Sequence, residues 1–352
     1  MVKRIVALLL GALALHGTSL PAAAEANGDG KAAAKPRQII LISFDGALDN
    51  RLWQRSRDFA RRSNIDFTYF LSCATLIPRE RAADYKAPGM KAGRSNIGFA
   101  PTVEDVATRL DHIWAARNEG HEIANHTCGH FDGKEWSREE WLTEFKTFDR
   151  VMRDAWKDNG LADQEPEGWS DFVRNDISGF RAPYLSAPDS LFAAQKAHGY
   201  RFDASTVTDA PLPPKEKKGL YRFGLPLIPE GPSDRKIIAM DYNLFIRHSA
   251  GIDHPSKAAD FTERSYKAFR AAFDAQYHGD RVPLQIGLHF VEMNGGAYWA
   301  AMERLAADVC HLPDVACVTY SKALALMADD RRRLAQSGQR QDAIEATGSL
   351  TP

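Results

Sequence analysis

The sequence predicts an α/β fold in which parallel strands, covered by helices, close into a barrel. Two observations carry this. From residue 37 onward, short and nearly continuous apolar runs alternate with segments of helical periodicity. About eight such units fit into roughly 290 residues, for which a barrel is the natural closure. Strands buried on both faces lose the alternation of a half-exposed sheet, so continuous apolar runs point to parallel pairing. Length alone leaves an open doubly wound sheet as the other architecture.

The strands expected in order are "QIILISF" (38–44), "DFTYFL" (66–71), "HEIANH" (121–126), "ISGFRA" (177–182), "YRFDASTV" (200–207), "KIIAMDY" (236–242), "LQIGLHF" (284–290) and "VACVTY" (315–320). Between the sixth and seventh strands lies 261–278, where Tyr266, Phe269, Phe273 and Tyr277 recur at helical spacing while Arg264, Lys267, Arg270 and Asp274 fall on other faces. That stripe reads as core packing. Two stretches, 76–101 and 209–234, are dense in Gly, Pro and charge and read as long loops, candidates for groove walls at the active end of a barrel.

The N-terminus reads as an export signal. "MVKR" is a basic start, "IVALLLGALAL" is too short for a comfortable membrane span, and Ala22-x-Ala24 offers a cleavage site. Residues 1–24 are therefore expected to be removed, 25–36 to be a linker, 37–329 to form the catalytic domain and 330–352 a frayed helix and tail. Loss of Lys3 and Arg4 takes the formal charge from −1 to −3. No basic face for nucleic acid is indicated. An oxidising destination, periplasmic or secreted, makes the four cysteines disulfide candidates. Cys310 and Cys317 are expected to close a short loop. Cys73 and Cys128 can pair as well, although connectivity does not follow from sequence.

Chemistry concentrates at the ends of the expected strands. Asp45 ends the first, His126 and His130 in "HTCGH" follow the third, Arg181 ends the fourth and His289 the seventh. Each has an ordinary reading: a turn aspartate, polar loop histidines, a surface arginine, a core histidine. Strand ends in a parallel barrel converge on one face, and all five falling there together is much less ordinary.

On these residues the chain resembles the polysaccharide deacetylase family, the NodB-homology type, and most its chitin-deacetylase-like branch. The resemblance spans roughly 37–328. It rests on "ISFDGA", "HEIANHTCGH", "RAPY" and "PLQIGLHF", with "RFDASTV" the weakest match. It implies a distorted (β/α) barrel of seven or eight parallel strands that removes acetyl groups from an N-acetylglucosamine-containing polysaccharide with a divalent metal, usually Zn²⁺. Carried over, His126 and His130 would bind the metal and Asp45 would be the general base, oriented by Arg181. The backbone N–H of Tyr184 would bind the oxyanion, His289 would be the general acid, and Asp203 would hold His289.

One departure stands out. The family's first motif carries two consecutive aspartates, base then metal ligand, and here the second position is Gly46. Asp49 and water are the two candidates to fill the gap. The deacetylase reading thus competes with a carbohydrate-binding relative whose site is weakened or inactive. A barrel glycosidase, which needs paired carboxylates, ranks last: the strand ends offer Asp45, Asp203 and Asp241 but leave the histidines unused.

Overall fold

The computed structural model describes residues 35–348, with side chains through 336. The signal segment and the linker through residue 34 lie outside the described residues. The elements run β1 (Gln38–Gly46), α1 (Asn50–Ser63), β2 (Thr68–Leu71), α2 (Val103–Asn118), β3 (Glu122–Asn125), α3 (Arg138–Arg153), α4 (Ala155–Asp158), α5 (Trp169–Asn175), β4 (Gly179–Phe180), α6 (Asp189–His198), β5 (Phe202–Thr208), β6 (Lys215–Lys217), β7 (Leu220–Glu230), β8 (Arg235–Ile238), α7 (Asp241–Ser249), α8 (Ala258–His278), β9 (Leu284–His289), α9 (Ala297–Val309), β10 (Val315–Cys317) and α10 (Tyr320–Gly348). None of the described helices is long and apolar enough to cross a membrane.

The curled sheet runs β9–β1–β2–β3–β4–β5–β7, parallel throughout. These are the seven strands of a distorted barrel. No ladder joins β7 to β9. Instead the Gln285 side-chain amide donates to the Gly224 carbonyl, and a bridge links Met240 to Gly287. The short β10 pairs with the base of β1.

Strand β1 shows how the barrel is filled. Ile40, Ile42 and Phe44 join the layer between sheet and helices, against Trp53, Tyr69 and Trp299. Ile39 and Leu41 instead join an interior cluster with Phe70, Ala124, Phe202, Ala204 and Phe223, plugged from below by Tyr320, Ala323 and Leu324 of α10. The next residues of that parity are Ser43 and Asp45, so the interior passes from an apolar base to a polar mouth. Each large side chain so buried contributes roughly 1.5–3 kcal/mol.

Two expectations fail. The stretch 209–234 is no loop: it holds β6 and β7, the latter a barrel strand. Pro226 and Pro229 are tolerated inside β7 because each removes only one donor, and the other prolines of the stretch lie outside its strands. Residues 221–226 pair with β5, 220–222 also with β6, and 227–230 with β8. Conversely "KIIAMDY" is not a parallel barrel strand. Its first half is β8, antiparallel to β7, and Asp241 already begins α7.

The other long stretch, 76–101, is largely irregular and lies over the site, with Asn96 N–H donating to the Gly129 carbonyl. The stripe on α8 is core as expected, Phe269 and Phe273 being buried. Disulfides join Cys310 to Cys317 and Cys73 to Cys128. Past residue 329, α10 continues, and buried Asp330 pairs with Arg37 at 2.8 Å.

Candidate active site

Asp45 sits at the mouth of the barrel, 4% exposed. Arg181, fully buried, donates from Nη1 to Asp45 Oδ1 at 2.7 Å and to Ser43 Oγ at 2.9 Å, and from Nη2 to Tyr320 OH at 2.9 Å. Its guanidinium lies 4.1 Å above the Phe70 ring, the top of the apolar plug. Burial alone would raise the Asp45 carboxyl. The Arg181 guanidinium, by charge and hydrogen bond, outweighs it with help from His289 and holds Asp45 below its ordinary value.

His289 ends β9 and is the register partner of Asp45 across the β1–β9 ladder. Its Nδ1–H donates to Asp241 Oδ1 at 2.6 Å, and its backbone N–H to Asp241 Oδ2 at 2.7 Å. Burial would lower this imidazole, but the Asp241 carboxylate outweighs it and raises His289 above its ordinary value.

The expected partner, Asp203, is elsewhere. It is buried on β5, accepting from Gln195 Nε2 at 2.6 Å and Ser205 Oγ at 2.5 Å, while Ser205 Oγ accepts the Ala182 N–H. Asp203 therefore fixes the backbone next to Arg181 and does not hold His289. The reason is topological: β7 stands between β5 and β9, whereas α7 starts directly beside β9, after the Met240–Gly287 bridge. In the sequence Asp241 reads only as a strand-end carboxylate, since no local spacing ties it to a histidine 48 residues on.

We expect Asp241→Asn to lower the His289 pKa. An amide removes the negative charge and places an N–H₂ against one of the two His289 donors. Proton titration of His289 by NMR in chelator checks this; an unchanged midpoint would refute the pairing.

His126 and His130 share the loop after β3, their rings 4.9 Å apart. His126 Nδ1–H donates to the Arg181 carbonyl at 2.7 Å, which fixes the tautomer and leaves Nε2 as an acceptor. That Nε2 is buried, lacks a hydrogen-bond partner and stands 3.9 Å from Asp45 Oδ2. Burial depresses His126 to about 3 and lowers His130 too, so both are neutral. Thr127 (φ 62°) and His130 (φ 55°) are left-handed, each costing roughly 1 kcal/mol or more. Tyr184, also left-handed in a turn after β4, lies 5.2 Å ring to ring from His130, and its hydroxyl accepts from Asn96 Nδ2.

The donor set is that of half a metal site. An orphaned imidazole nitrogen beside a second neutral imidazole suits a divalent ion such as Zn²⁺. Yet no group of three His, Cys, Asp or Glu side chains is arranged to hold one among the described residues. Gly46 offers nothing, and Asp49 does not reach back. Its carboxylate caps α1, accepting from Arg51 N and pairing with Arg51 Nη2, both at 2.8 Å.

No protein-family model matches the sequence, and no curated protein matches it. Solved structures do. A Mycobacterium smegmatis protein assigned to the polysaccharide deacetylases superposes with a TM-score of 0.52 at 15% identity, over 84% of this chain and 94% of that one. The fold is that of the polysaccharide deacetylases. A peptidoglycan deacetylase from Bacillus subtilis (TM-score 0.43, 14% identity, 87% and 97% covered) and a CE4 family pseudoenzyme from Bacillus anthracis (0.43, 9%, 81% and 65%) also align. Within this polysaccharide deacetylase fold, six of the seven residues singled out from sequence meet at the strand ends. Asp203 is the exception, and Asp241, Ser43 and Tyr320 are the additions.

Proposed function

We propose that the protein is an exported hydrolase that removes acetyl groups from N-acetylglucosamine units of a polysaccharide. One observation carries the reading. Asp45 and His289 are partners on adjacent strands whose surroundings push them apart: the carboxyl down, towards a permanent base, and the imidazole up, towards a standing acid. Amide hydrolysis needs that pair. Asp45 takes the proton of an attacking water, and His289 gives one to the amine as the C–N bond breaks, yielding acetate and a free amino sugar.

His126 and His130 would hold a divalent ion, which, when bound, polarises the acetyl carbonyl and acidifies water. Arg181 keeps Asp45 ionised and aimed. The Tyr184 N–H is assigned to the developing oxyanion. Exposed aromatics flank the centre: Tyr184 (60% exposed) beside His130, and Tyr242 (51%) 6.0 Å ring to ring from His289. Such rings suit the apolar faces of successive pyranoses in a polymer. Export is supported by the pairing of all four cysteines.

A second reading, a weakened or inactive carbohydrate-binding relative, is favoured by Gly46 together with the engagement of Asp49 at the helix cap. Acetate release from N-acetylglucosamine oligomers with added Zn²⁺ separates the two. The wild type is expected to release acetate, and Asp45→Asn to fall by about 10²–10⁴-fold. Oligomer binding with no acetate release would establish the second reading instead.

A further inference from the structure

The loop 126–130 has an unusual hydrogen-bond account. Each of its five consecutive backbone N–H groups has an acceptor of its own, and only the first is backbone. His126 N–H goes to the Leu71 carbonyl at 2.9 Å. Thr127 N–H goes to Asn125 Oδ1 at 2.6 Å, Cys128 N–H to Glu144 Oε1 at 2.8 Å, Gly129 N–H to Tyr85 OH at 2.9 Å, and His130 N–H to Thr127 Oγ1 at 3.2 Å.

Two of those acceptors form a unit. The Tyr85 hydroxyl takes the Gly129 N–H and passes its own hydrogen to Glu144 Oε1 at 2.8 Å, the same oxygen that takes the Cys128 N–H. Glu144 comes from α3 and Tyr85 from the stretch 76–101, so the loop is gripped from two distant parts of the chain. Both side chains are buried, and burial raises the Glu144 carboxyl above its ordinary value. Gly129 explains the fit from the other side. Its backbone is not left-handed, yet a Cβ there would lie 2.6 Å from Tyr85 Cε1 and OH, so glycine is needed for the tyrosine to approach. The disulfide to Cys73 ties the same loop to the end of β2.

We propose that Glu144, acting through Tyr85 and the Cys128 amide, is a positioning residue that holds His126 and His130 in register for a shared ion. The proposal rests on the reading of those histidines as an ion-binding pair. A loop with two left-handed non-glycine residues has no intrinsic preference for this shape, so the shape must be imposed. Where a carboxylate ligand is missing, imidazole placement carries more of the binding. No group of the clamp touches the reacting atoms.

Both bonds converge on Oε1, while Oε2 has no partner. Glu144→Gln keeps an acceptor oxygen and is expected to work nearly as well as wild type. Glu144→Ala leaves the Cys128 amide and the Tyr85 hydroxyl without an acceptor. Tyr85→Phe, which removes only one oxygen, guards against a Glu144→Ala protein that fails to fold.

The experiment measures amide exchange at Cys128 and Gly129 in the metal-free protein, and Zn²⁺ affinity by competition with a chelator. Tyr85→Phe is expected to lose protection at Gly129 and Glu144→Ala at Cys128, and both to bind Zn²⁺ about 10–100-fold more weakly, as for other outer partners of metal ligands. Glu144→Gln should restore both. Wild-type Zn²⁺ affinity in folded Tyr85→Phe would overturn the proposal. If wild type itself takes up no Zn²⁺, the ion-binding reading fails separately, and exchange alone decides: unchanged protection in Tyr85→Phe overturns the clamp, and lost protection sustains it.

Discussion

Arg181→Met is expected to destabilise the protein by about 3–5 kcal/mol, the range for removing one partner of a buried ion pair. The arginine is fully buried, and its donors serve four groups: Asp45, the Ser43 hydroxyl, the Tyr320 hydroxyl and the Ala204 carbonyl. Methionine fills much of the volume above Phe70 but offers none of these a hydrogen. Asp45 would then be an unpaired carboxylate in a closed setting and would rise in pKa, which also removes the base from its working state. Denaturant unfolding at neutral pH gives the size of the effect. The double variant Asp45→Asn/Arg181→Met should lose less than the sum of the single losses, because the second change removes the charge left stranded by the first. Strict additivity would mean that the two residues do not act as a pair.

The same pair fixes a pH dependence with a definite sign. Asp45 is depressed in the folded state, so its contribution is present above the ordinary carboxylate value of 3.8 and is lost as pH falls through the lower folded value. The gap between wild type and Arg181→Met should narrow as the pH falls, from the raised Asp45 value of the variant down through the depressed value of the wild type. A gap that instead widened on acidification would place the stabilising charge elsewhere.

Much of this arrangement was legible in the chain because parallel strands are buried on both faces. Runs such as "QIILIS" and "LQIGLHF" have no reason to be continuously apolar unless both faces are covered, and the residue ending each run must then lie at the barrel mouth. Asp45, Arg181 and His289 were found in this way. What misled was chemistry that depends on pairing partners. Pro226 and Pro229 signal a loop by themselves, and only knowledge of the partners that β7 takes along its length makes them harmless. Asp203 and Asp241 are both aspartates near strand ends, and the order of strands around the barrel, which no local pattern states, decides which one meets His289. Glu144 and Tyr85 look like an ordinary helix acid and a loop aromatic until the folded chain brings them beneath "HTCGH".

Gly46→Asp is expected to lower stability and to raise divalent-ion affinity together. The stability side follows from two observations. Gly46 has φ +93°, where a side chain is strained, at a cost on the order of 1–3 kcal/mol. A Cβ there would also stand 2.7 Å from Ile97 Cδ1. That contact is with the tip of a flexible side chain, so it can yield, whereas the backbone strain cannot. Gly46→Asp/Ile97→Ala should therefore recover only part of the lost melting temperature, after allowance for Ile97→Ala alone. The affinity side follows from the donor count. Two neutral imidazoles leave the charge of an ion largely uncompensated, and Asp49 is held at its helix cap by Arg51. An anionic oxygen beside His126 should tighten Zn²⁺ binding by at least the 10–100-fold typical of outer partners. Turnover need not follow, because the added charge makes a bound water less acidic. Zinc titration and thermal melts of the four proteins test both halves. Unchanged stability would show that the turn at Gly46 accepts a side chain freely. Unchanged affinity in a folded variant would show that a group other than Asp49 already completes the donor set, and the missing acid would then have no bearing on the site.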